Sequence, residues 1–385
     1  MIGDQRYPDI REGVRALCAE FPPAYFREVD ARRAYPEEFV EALTRAGWLA
    51  ALVPQEYGGS GLGVAEASVI MEEINRSGGN AGACHGQMYN MGTLLRHGSP
   101  EQKAKWLPAI ASGELRLQSM AVTEPTAGTQ TTAITTTAVR DGERYVVNGQ
   151  KVWTSRLRHS DLMVLLARTT PIAQVRRKSE GLSVFLVDLR ESIDRGMTLR
   201  PIDNMVNHET FEVFFENLEI PAAHLIGREG EGFQHVLDGL NAERAIIAAE
   251  CIGDGYWFID KVTRYANERV VFGRPIGANQ GVQFPIAQAL IELEAANLMR
   301  WRACELFDGQ LPCGAEANMA KYLAAKASWE AGEACLQFHG GFGFAAEYDV
   351  ERKFRETRLY QVAPISTNLI LAHVAEHVLG LPRSF

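Results

Sequence analysis

Cysteine is scarce in this 385-residue sequence, and no two cysteines have the spacing of a redox motif or a metal site. The six cysteines are scattered at positions 18, 84, 251, 304, 313 and 335, without a Cys-x-x-Cys pair. We therefore expect no disulfide framework and no metal site. Reduced, mostly buried thiols in a cytoplasmic protein are the expected state instead.

Basic stretches and long apolar stretches are absent as well. The chain has 48 acidic and 39 basic residues, a formal net charge of −9, and no run of Lys and Arg. Because nucleic-acid recognition requires a basic face, we expect no nucleic-acid partner. The first twelve residues are polar and charged, and no segment is apolar enough for a membrane span. Neither secretion nor membrane insertion is expected.

The composition that remains is typical of a globular protein with several domains. Hydrophobic residues make up 46% of the chain and charged residues 23%, and the length suffices for two or three domains. The periodicity is helical to about residue 117, typical of strands to about 226, and helical again from 232. We therefore predict an α+β fold with a helical domain at 1–117, a small β-sheet or β-barrel domain at 118–231 and a helical bundle at 232–385.

Local patterns place individual elements. Phe39, Val40 and Leu43 have helical spacing ahead of Gly47, which predicts a helix that ends near this glycine. Short β-branched or aromatic runs predict strands, at 145–147, 162–166, 182–187 and 211–215. The threonine-rich segment 129–137 is interpreted as the start of a strand.

Two segments of the predicted β domain carry side chains that suit a flavin. Residues 120–129 are Met-Ala-Val-Thr-Glu-Pro-Thr-Ala-Gly-Thr, and residues 148–155 are Asn-Gly-Gln-Lys-Val-Trp-Thr-Ser. Thr123 and Ser155 offer hydroxyl donors to the N5/O4 edge of an isoalloxazine ring, and Trp153 offers a flat face. Together the segments resemble the two flavin-holding segments of the acyl-CoA dehydrogenase family.

This resemblance extends from about residue 36 to residue 378 and implies three domains ending in a four-helix bundle. It also implies FAD as cofactor, an acyl-CoA substrate, an electron-transfer flavoprotein as electron acceptor, and a homodimer or homotetramer. In that reaction a carboxylate removes the α-proton of the thioester while a hydride leaves the β-carbon for flavin N5. The residues that the resemblance assigns to FAD are Val122, Thr123, Gly128, Thr129, Trp153, Ser155, Arg269, Phe272, Gln280, Gln337, Gly341, Ser366 and Asn368.

Arg269 and the segment 337–344 each have a second interpretation. In the family, the arginine that matches Arg269 reaches the FAD pyrophosphate of the neighbouring subunit, for which the planar guanidinium is suited. Alternatively, Arg269 is a helix-terminal side chain that is solvated or paired with Glu268. The glycines after Gln337 allow a close approach of the backbone to a dinucleotide, but Gly-Gly-x-Gly is also a common helix stop. His339 is expected to be structural.

The family places its catalytic carboxylate at one of two positions, and the first holds no acid in this chain. After residues 355–362 the sequence continues Ala363-Pro364-Ile365-Ser366-Thr367-Asn368, and no register supplies a carboxylate. Pro364 also lacks the N–H that would bind the thioester carbonyl. Ile365 or the flavin ribityl hydroxyl must then act as the donor. The small Ala363, where many members have an aromatic residue, favours a branched or β-bulky acyl group.

The second position does hold an acid. In residues 240–247, Glu243, Arg244 and Ile247 share the helix face of Leu240, so a charged pair projects from an apolar stripe. A buried ion pair that closes the domain interface is one interpretation. The other makes Glu243 the catalytic base and Arg244 a contact to coenzyme A, as in the isovaleryl and long-chain branches. The residues assigned to the acyl-CoA are then Thr129, Asn241, Arg244 and Ala363.

Three other functions remain open for this fold. Two are flavoenzymes with a different reaction, an acyl-CoA oxidase or an enoyl-CoA reductase. The third is a non-catalytic protein that binds FAD or acyl-CoA, which the missing C-terminal glutamate makes conceivable. Anaerobic bleaching of the flavin spectrum by an acyl-CoA separates this third function from a dehydrogenase.

Overall fold

The computed structural model of the protein describes residues 5–384 and begins with six helices. These are α1 (Pro8–Ala19), α2 (Pro23–Ala31), α3 (Glu37–Arg45), α4 (Val64–Arg76), α5 (His85–His97) and α6 (Pro100–Ser112). Helix α3 is the one predicted from the spacing of Phe39 and Leu43, and both side chains are buried in the core that these helices share. Gly47 follows it with a left-handed φ of 79°, a conformation that glycine adopts without strain. Residues 1–4 and 385, at the ends of the two predicted outer domains, lie outside the described part.

The middle of the chain forms an eight-stranded sheet. Its strands are β1 (Ser119–Ala121), β2 (Thr137–Asp141), β3 (Arg144–Ser155), β4 (Leu162–Arg168), β5 (Leu182–Asp188), β6 (Met197–Pro201), β7 (Thr210–Pro221) and β8 (Leu225–Ile226), with the short helix α7 (Leu189–Ser192) after β5. The order is β6-β7-β3-β2-β4-β5-β8, and β1 pairs in parallel with β4. The four predicted strand segments all lie in this sheet.

The prediction of a strand start at residue 129 is wrong. Residues Thr131–Ala133 form a 3-10 turn, and β2 begins only at Thr137. The cause is the buried carboxylate of Glu124, which accepts hydrogen bonds from the backbone N–H of Thr135 at 2.6 Å and of Thr136 at 2.9 Å. These two backbone N–H groups would donate to a neighbouring strand if the segment were extended, but here a side chain accepts their hydrogen bonds. Such local side-chain contacts compete with sheet formation.

Helices return after the sheet. They are α8 (Gly232–Glu268), α9 (Gln280–Asp308), α10 (Gly314–His339), α11 (Val350–Leu359) and α12 (Thr367–His373), with a π-helical turn at Val374–Val378; a hairpin of β9 (Val270–Val271) and β10 (Arg274–Pro275) separates α8 from α9. Helices α8, α9 and α10 pack on one another, and α11 packs on α10. The predicted fold class, helices then a sheet then a helical bundle, is confirmed. The domain boundaries at 117 and 231 stay predictions.

Helix α8 connects all three parts of the molecule. Its 37 residues correspond to about 55 Å of helix, and it packs against α4 and α5 of the first part and against β5 of the sheet. Residues near its start therefore lie where the helices and the sheet meet. Within residues 5–384, no helix combines the length and the apolar character that a membrane crossing requires.

Candidate active site

Glu243 lies in the N-terminal half of α8 and is only 5% exposed. Among residues 5–384, its carboxylate has no hydrogen-bond or ion-pair partner. Burial raises the pKa of Glu243 to about 7, although the positive charges of Arg244, His85 and Lys321 act in the opposite direction. The ion pair that the sequence offered as one interpretation is therefore not formed. Glu243 is a buried acid whose pKa lies near neutrality, as a general base requires.

Arg244 points its guanidinium along the same helix. It is half-buried, and its Nη1 donates to Asn241 Oδ1 at 3.0 Å. The two residues assigned to the acyl-CoA on α8 are thus joined to each other, next to Glu243 in the chain. The remaining guanidinium N–H groups have no hydrogen-bond partner in the described part of the chain.

The loop after α11, which holds the other family position for the carboxylate, lies beside this region. Lys321 of α10 is buried, and its Nζ donates to the carbonyls of Tyr360 at 2.5 Å and Ile365 at 2.7 Å. Since the charge of Lys321 also acts on Glu243, the loop and the acid belong to one region. Ala363 is half-buried in this loop, and Pro364 is exposed. Of the two family positions, only the α8 position carries an acid.

Helix α5 contributes two polar side chains that the sequence analysis missed. His85 donates from Nδ1 to Glu250 at 2.9 Å, and the rings of His85 and Tyr89 lie 5.4 Å apart. Glu250, on α8, also accepts a hydrogen bond from the Tyr360 hydroxyl at 2.9 Å. Burial, together with the charges of Glu243 and Glu250, raises the pKa of Tyr89 well above its usual value. Tyr89 is therefore a neutral phenol close to the buried acid.

The two predicted flavin segments are held together at the end of β3. The ladder between β3 and β7 is interrupted between Lys151 and Thr154, so Val152 and Trp153 form a bulge. Trp153 has a left-handed φ of 61° and is 59% exposed. The N–H of Val152 donates to the Thr123 carbonyl at 2.9 Å. The bulge thus places an exposed indole beside Thr123.

A buried lysine fixes the position of the first flavin segment, residues 120–129. Lys151 donates from Nζ to the Val122 carbonyl at 2.9 Å and pairs with Glu124 at 2.9 Å. Both charged side chains are almost fully buried. Because a buried charge is tolerated only when it is paired, this contact fixes the position of residues 122–124 relative to β3. The segment is a rigid edge for a ligand.

Ser155 ends a chain of hydrogen bonds whose direction is fixed. Arg156, the next residue in the chain, contacts His208 Nδ1 through its Nη2 at 3.1 Å. The other ring nitrogen, His208 Nε2, contacts Ser155 Oγ at 2.8 Å. A guanidinium can only donate, so His208 accepts at Nδ1 and carries its proton on Nε2. Burial and the charge of Arg156 hold the pKa of His208 well below its usual value, which keeps the ring neutral. Ser155 therefore accepts from His208 and keeps its own proton for another acceptor.

These residues fit the ring of a flavin. Trp153 offers an exposed flat face, and Ser155 offers a proton to a ring heteroatom. Gly128 and Thr129 are exposed beside Thr123. A Cβ added at Gly128 would meet only the Thr123 methyl group, at 3.7 Å, so the chain itself does not need a glycine there. The open space in front of Gly128 is compatible with the close approach of a ligand.

The other residues assigned to FAD form a second group at the far end of α8. Arg269, Gln337 and Gly341 line one cleft of about 560 Å³. Phe272, with a left-handed φ of 51°, is fully exposed in the β9–β10 turn, and Gln280 is exposed at the start of α9. No ion pair joins Arg269 to Glu268 in the described part of the chain. The guanidinium lies 5.9 Å from the Phe342 ring and is open to a ligand.

The two groups do not form one site within a chain. Glu243 and Arg269 are 26 positions apart and both adjoin α8, which corresponds to about 39 Å of helix. This distance exceeds the length of the ribityl link between a flavin ring and its pyrophosphate. Ser366 and Asn368, the last residues assigned to FAD, directly follow Ile365 and so lie on the Glu243 side: Ser366 caps α12 by accepting from the Leu369 N–H at 3.3 Å, and Asn368 is exposed on its first turn.

Comparison with known proteins agrees with this architecture. Family models match in three parts: the acyl-CoA dehydrogenase N-terminal domain at residues 5–114, the middle domain at 119–218 and the C-terminal domain at 230–379. The chain is 35% identical to acyl-CoA dehydrogenase FadE12 of Mycobacterium tuberculosis, over 98% of this chain and 96% of that protein. It is 32% identical to a 3-(aryl)acrylate reductase of Clostridium sporogenes, over 92% and 95% of the two chains. A glutaryl-coenzyme A dehydrogenase structure superimposes with a TM-score of 0.92 at 28% identity, covering 100% and 98%. The chain belongs to the acyl-CoA dehydrogenase family, whose members are FAD-dependent flavoproteins.

Proposed function

We propose that the protein oxidises an acyl-CoA thioester to the trans-2-enoyl-CoA with Glu243 as the general base. The observation that carries this proposal is the state of Glu243: a carboxyl 5% exposed, without a partner among residues 5–384, whose pKa is about 7. A buried carboxyl without a partner destabilises a fold, so a catalytic role explains why the chain holds one there. General bases work best when their pKa lies near the working pH.

The residues around the flavin edge divide the remaining tasks. Bound FAD supplies the acceptor for the hydride that leaves the β-carbon. Ser155 donates its proton to the ring edge, in an orientation set by His208 and Arg156. Trp153 covers one face of the ring site. Because these groups are positioned before any ligand binds, they would need little rearrangement to hold a flavin ring.

The loop after α11 and the start of α8 are the proposed contacts of the thioester and of coenzyme A. Pro364 has no N–H, whereas the N–H of Ile365 has no hydrogen-bond partner among the described residues. We assign the Ile365 N–H as a donor to the thioester oxygen, in a loop that Lys321 holds in place. In a chain of net charge −9, Arg244 is the local cation suited to coenzyme A. Asn241 and Thr129 are its proposed neighbours in that contact.

Reduction of an enoyl thioester is the second candidate. The reductase relative from Clostridium sporogenes favours it, because a carboxyl with a pKa of about 7 is able to return a proton to the α-carbon as well as to remove one. An oxidase differs by fast reaction of the reduced enzyme with oxygen. A non-catalytic binding protein would gain nothing from a desolvated, unpaired acid at this position.

The proposed function is tested by anaerobic mixing of the enzyme with butyryl-, octanoyl- and isovaleryl-CoA over a range of pH. We expect the flavin absorbance to bleach with at least one of them. Since Glu243 acts when deprotonated and its pKa is about 7, kcat/KM should be high above pH 7. It should fall about tenfold for each pH unit below. Values of kcat/KM that are constant between pH 5 and pH 8 would contradict this assignment. If the reduced enzyme is reoxidised by enoyl-CoA but by no other acceptor, the result would favour the reductase.

We further propose that the protein is a homo-oligomer in which each FAD is shared between two chains. Helix α9 exposes an apolar stripe at helical spacing, formed by Phe284, Ala287, Ile291, Ala295 and Leu298. A contiguous exposed apolar face of this kind is typical of a protein interface. A second copy is its proposed occupant, because the cleft around Arg269 lies too far from Glu243 to serve the same flavin within one chain.

Arg269→Ala is expected to weaken FAD retention without unfolding the protein. A charge-assisted contact to phosphate is worth about 1.5–3 kcal/mol, so the dissociation constant of FAD should rise roughly 10- to 100-fold. Ile291→Glu, which places a charge in the α9 stripe, should lower the oligomeric state and release FAD as well. The measurements are the flavin-to-protein absorbance ratio and the mass in solution. Arg195→Ala is the matched control, because this exposed arginine pairs only with Glu191 among the described residues. A wild-type monomer that retains FAD tightly would overturn the shared site.

We also propose an electron-transfer flavoprotein as the electron acceptor and the cytoplasm as the compartment. The six cysteines are all free and buried, which suits a reducing compartment. Faster reoxidation of the substrate-reduced enzyme by an electron-transfer flavoprotein than by dissolved oxygen would support this acceptor.

A further inference from the structure

Two hydrogen-bonding side chains face the proposed base from helix α5. His85 and Tyr89 are four residues apart on α5, and Glu243 and Glu250 are seven apart on α8, so each pair occupies one helix face. The two helices pack against each other, and His85 bonds directly to Glu250. His85 also lies 6.4 Å, ring to ring, from His208, the residue that contacts Ser155. His85 therefore joins Glu250 of α8 to the His208 side of the flavin edge, and Tyr89 lies near enough to Glu243 for that charge to raise the pKa of its phenol.

The orientation of His85 is fixed by the protein. Glu250 is fully buried, accepts from Tyr360, and also accepts from His85 Nδ1. The carboxylate at Nδ1 fixes the orientation of the ring and leaves Nε2 for a second hydrogen bond. Neither His85 Nε2 nor the Tyr89 hydroxyl has a hydrogen-bond partner among residues 5–384. Two polar groups, an imidazole nitrogen and a phenol, are thus left for whatever fills the space beside Glu243.

A plain alkyl chain is a poor occupant of this space. It would displace water from both groups and leave them without hydrogen bonds, which is unfavourable. A hydroxyl group is complementary, since it accepts from the Tyr89 phenol and can either donate to His85 Nε2 or accept from it. A carboxylate is less suitable, because Glu243 and Glu250 carry the nearby negative charges. Of the nearby basic side chains, Lys321 already binds two carbonyls, Arg244 binds Asn241, Arg156 binds His208 and His85 pairs with Glu250.

We propose that the acyl group of the substrate carries a neutral hydroxyl beyond the β-carbon, hydrogen-bonded by Tyr89 and His85. This proposal rests on the proposed dehydrogenase function. The hydroxyl takes no part in the reaction: the α-proton goes to Glu243, the hydride leaves the β-carbon for the FAD, and the hydroxyl is retained in the product. Tyr89 and His85 are then specificity residues.

The test compares four CoA thioesters of equal chain length: pentanoyl-, 4-hydroxypentanoyl-, 5-hydroxypentanoyl- and glutaryl-CoA. Anaerobic flavin reduction gives kcat/KM for each. Binding is measured separately from the shift of the flavin spectrum in Glu243→Gln. We expect one hydroxylated thioester to exceed pentanoyl-CoA in kcat/KM and in affinity. Tyr89→Phe, which removes only the hydroxyl, should reduce this preference roughly 10- to 100-fold. Tyr25→Phe, whose hydroxyl contacts Glu38 near the surface, should leave the preference unchanged.

Every outcome decides between specific alternatives. Equal kcat/KM for pentanoyl-CoA and both hydroxylated thioesters, with no effect of Tyr89→Phe, would overturn the hydroxyl proposal and leave the dehydrogenase function intact. Preference for glutaryl-CoA would overturn it as well, in favour of an acidic acyl group. If no acyl-CoA reduces the flavin and Glu243→Gln behaves as wild type, the proposed function itself fails. A preference lost in Tyr89→Phe and also in His85→Phe would support both contacts.

Discussion

Glu243→Gln is expected to remove acyl-CoA-dependent flavin reduction while FAD and acyl-CoA still bind. The amide keeps the shape of the side chain but has no basic oxygen to take the α-proton. Loss of a general base typically costs roughly 10²- to 10⁴-fold in rate. The loop after α11 offers no replacement, because the matching position is occupied by Pro364. The residual rate should therefore be small with every acyl-CoA tested.

The measurement is stopped-flow bleaching of the flavin after anaerobic mixing with saturating acyl-CoA. Glu243→Asp is the companion variant, since it keeps a carboxylate but withdraws it by one methylene, and it should fall between wild type and Gln. Binding is checked from the shift of the flavin spectrum, which separates lost chemistry from lost affinity. Flavin reduction by Glu243→Gln at nearly the wild-type rate would mean that the base lies elsewhere, and the assigned mechanism would have to be withdrawn.

The stability of this variant provides an internal control. Burial raises the pKa of Glu243 to about 7, so its ionised form is disfavoured in the folded protein at neutral pH. Replacing it with a neutral amide removes that cost and leaves no partner unpaired. The melting temperature should therefore stay the same or rise, and a loss of rate cannot be ascribed to unfolding.

Much of the fold could be predicted from the sequence because local residue patterns determine its helices and strands. The helical spacing of Phe39 and Leu43 and the β-branched runs at 162–166 and 182–187 report burial on one or both faces of an element, and burial is what packing requires. The position of Glu243 followed from the same logic, since it shares a helix face with Leu240. The structure places it at 5% exposure. The assigned roles of Glu243 and of the FAD residues stay predictions.

The parts of the site that the sequence did not reveal are tertiary. His85 becomes informative only because α5 packs on α8 and meets Glu250, 165 positions away. Likewise, His208 gains its meaning from Ser155 and Arg156, more than 50 positions earlier in the chain. A single sequence carries no local signal for such pairs. The strand start predicted for the threonine-rich segment was wrong for a related reason. The buried carboxylate of Glu124 accepts hydrogen bonds from backbone N–H groups that would bond to a neighbouring strand if the segment were extended.

Glu356→Gln should have the opposite profile to Glu243→Gln, with lost stability and retained chemistry. Glu356 is also buried, but its carboxylate pairs with Arg352 at 2.9 Å and with Lys353 at 3.1 Å. Burial opposes its ionisation, and the two cations outweigh burial, so the pKa of Glu356 lies below its usual value. Removing one partner of a buried ion pair leaves uncompensated charge and costs about 3–5 kcal/mol. Lys353 would retain Asp254 at 2.5 Å and the Gly79 carbonyl at 2.9 Å, and Arg352 would retain Asp349 at 3.7 Å.

The pH dependence distinguishes this ionic contribution from a simple packing defect. A carboxylate with a depressed pKa stabilises the fold above its unfolded-state value, about 4.3 for Glu, and that stability is lost as pH falls through the folded-state pKa. The melting temperatures of wild type and Glu356→Gln should therefore differ by several degrees at pH 7 and converge in acid. The folded fraction of the variant should still reduce its flavin with acyl-CoA. A difference in melting temperature that does not shrink as the pH falls from 7 to below the folded-state pKa would assign the loss to packing, because a protonated Glu356 and a glutamine carry the same charge.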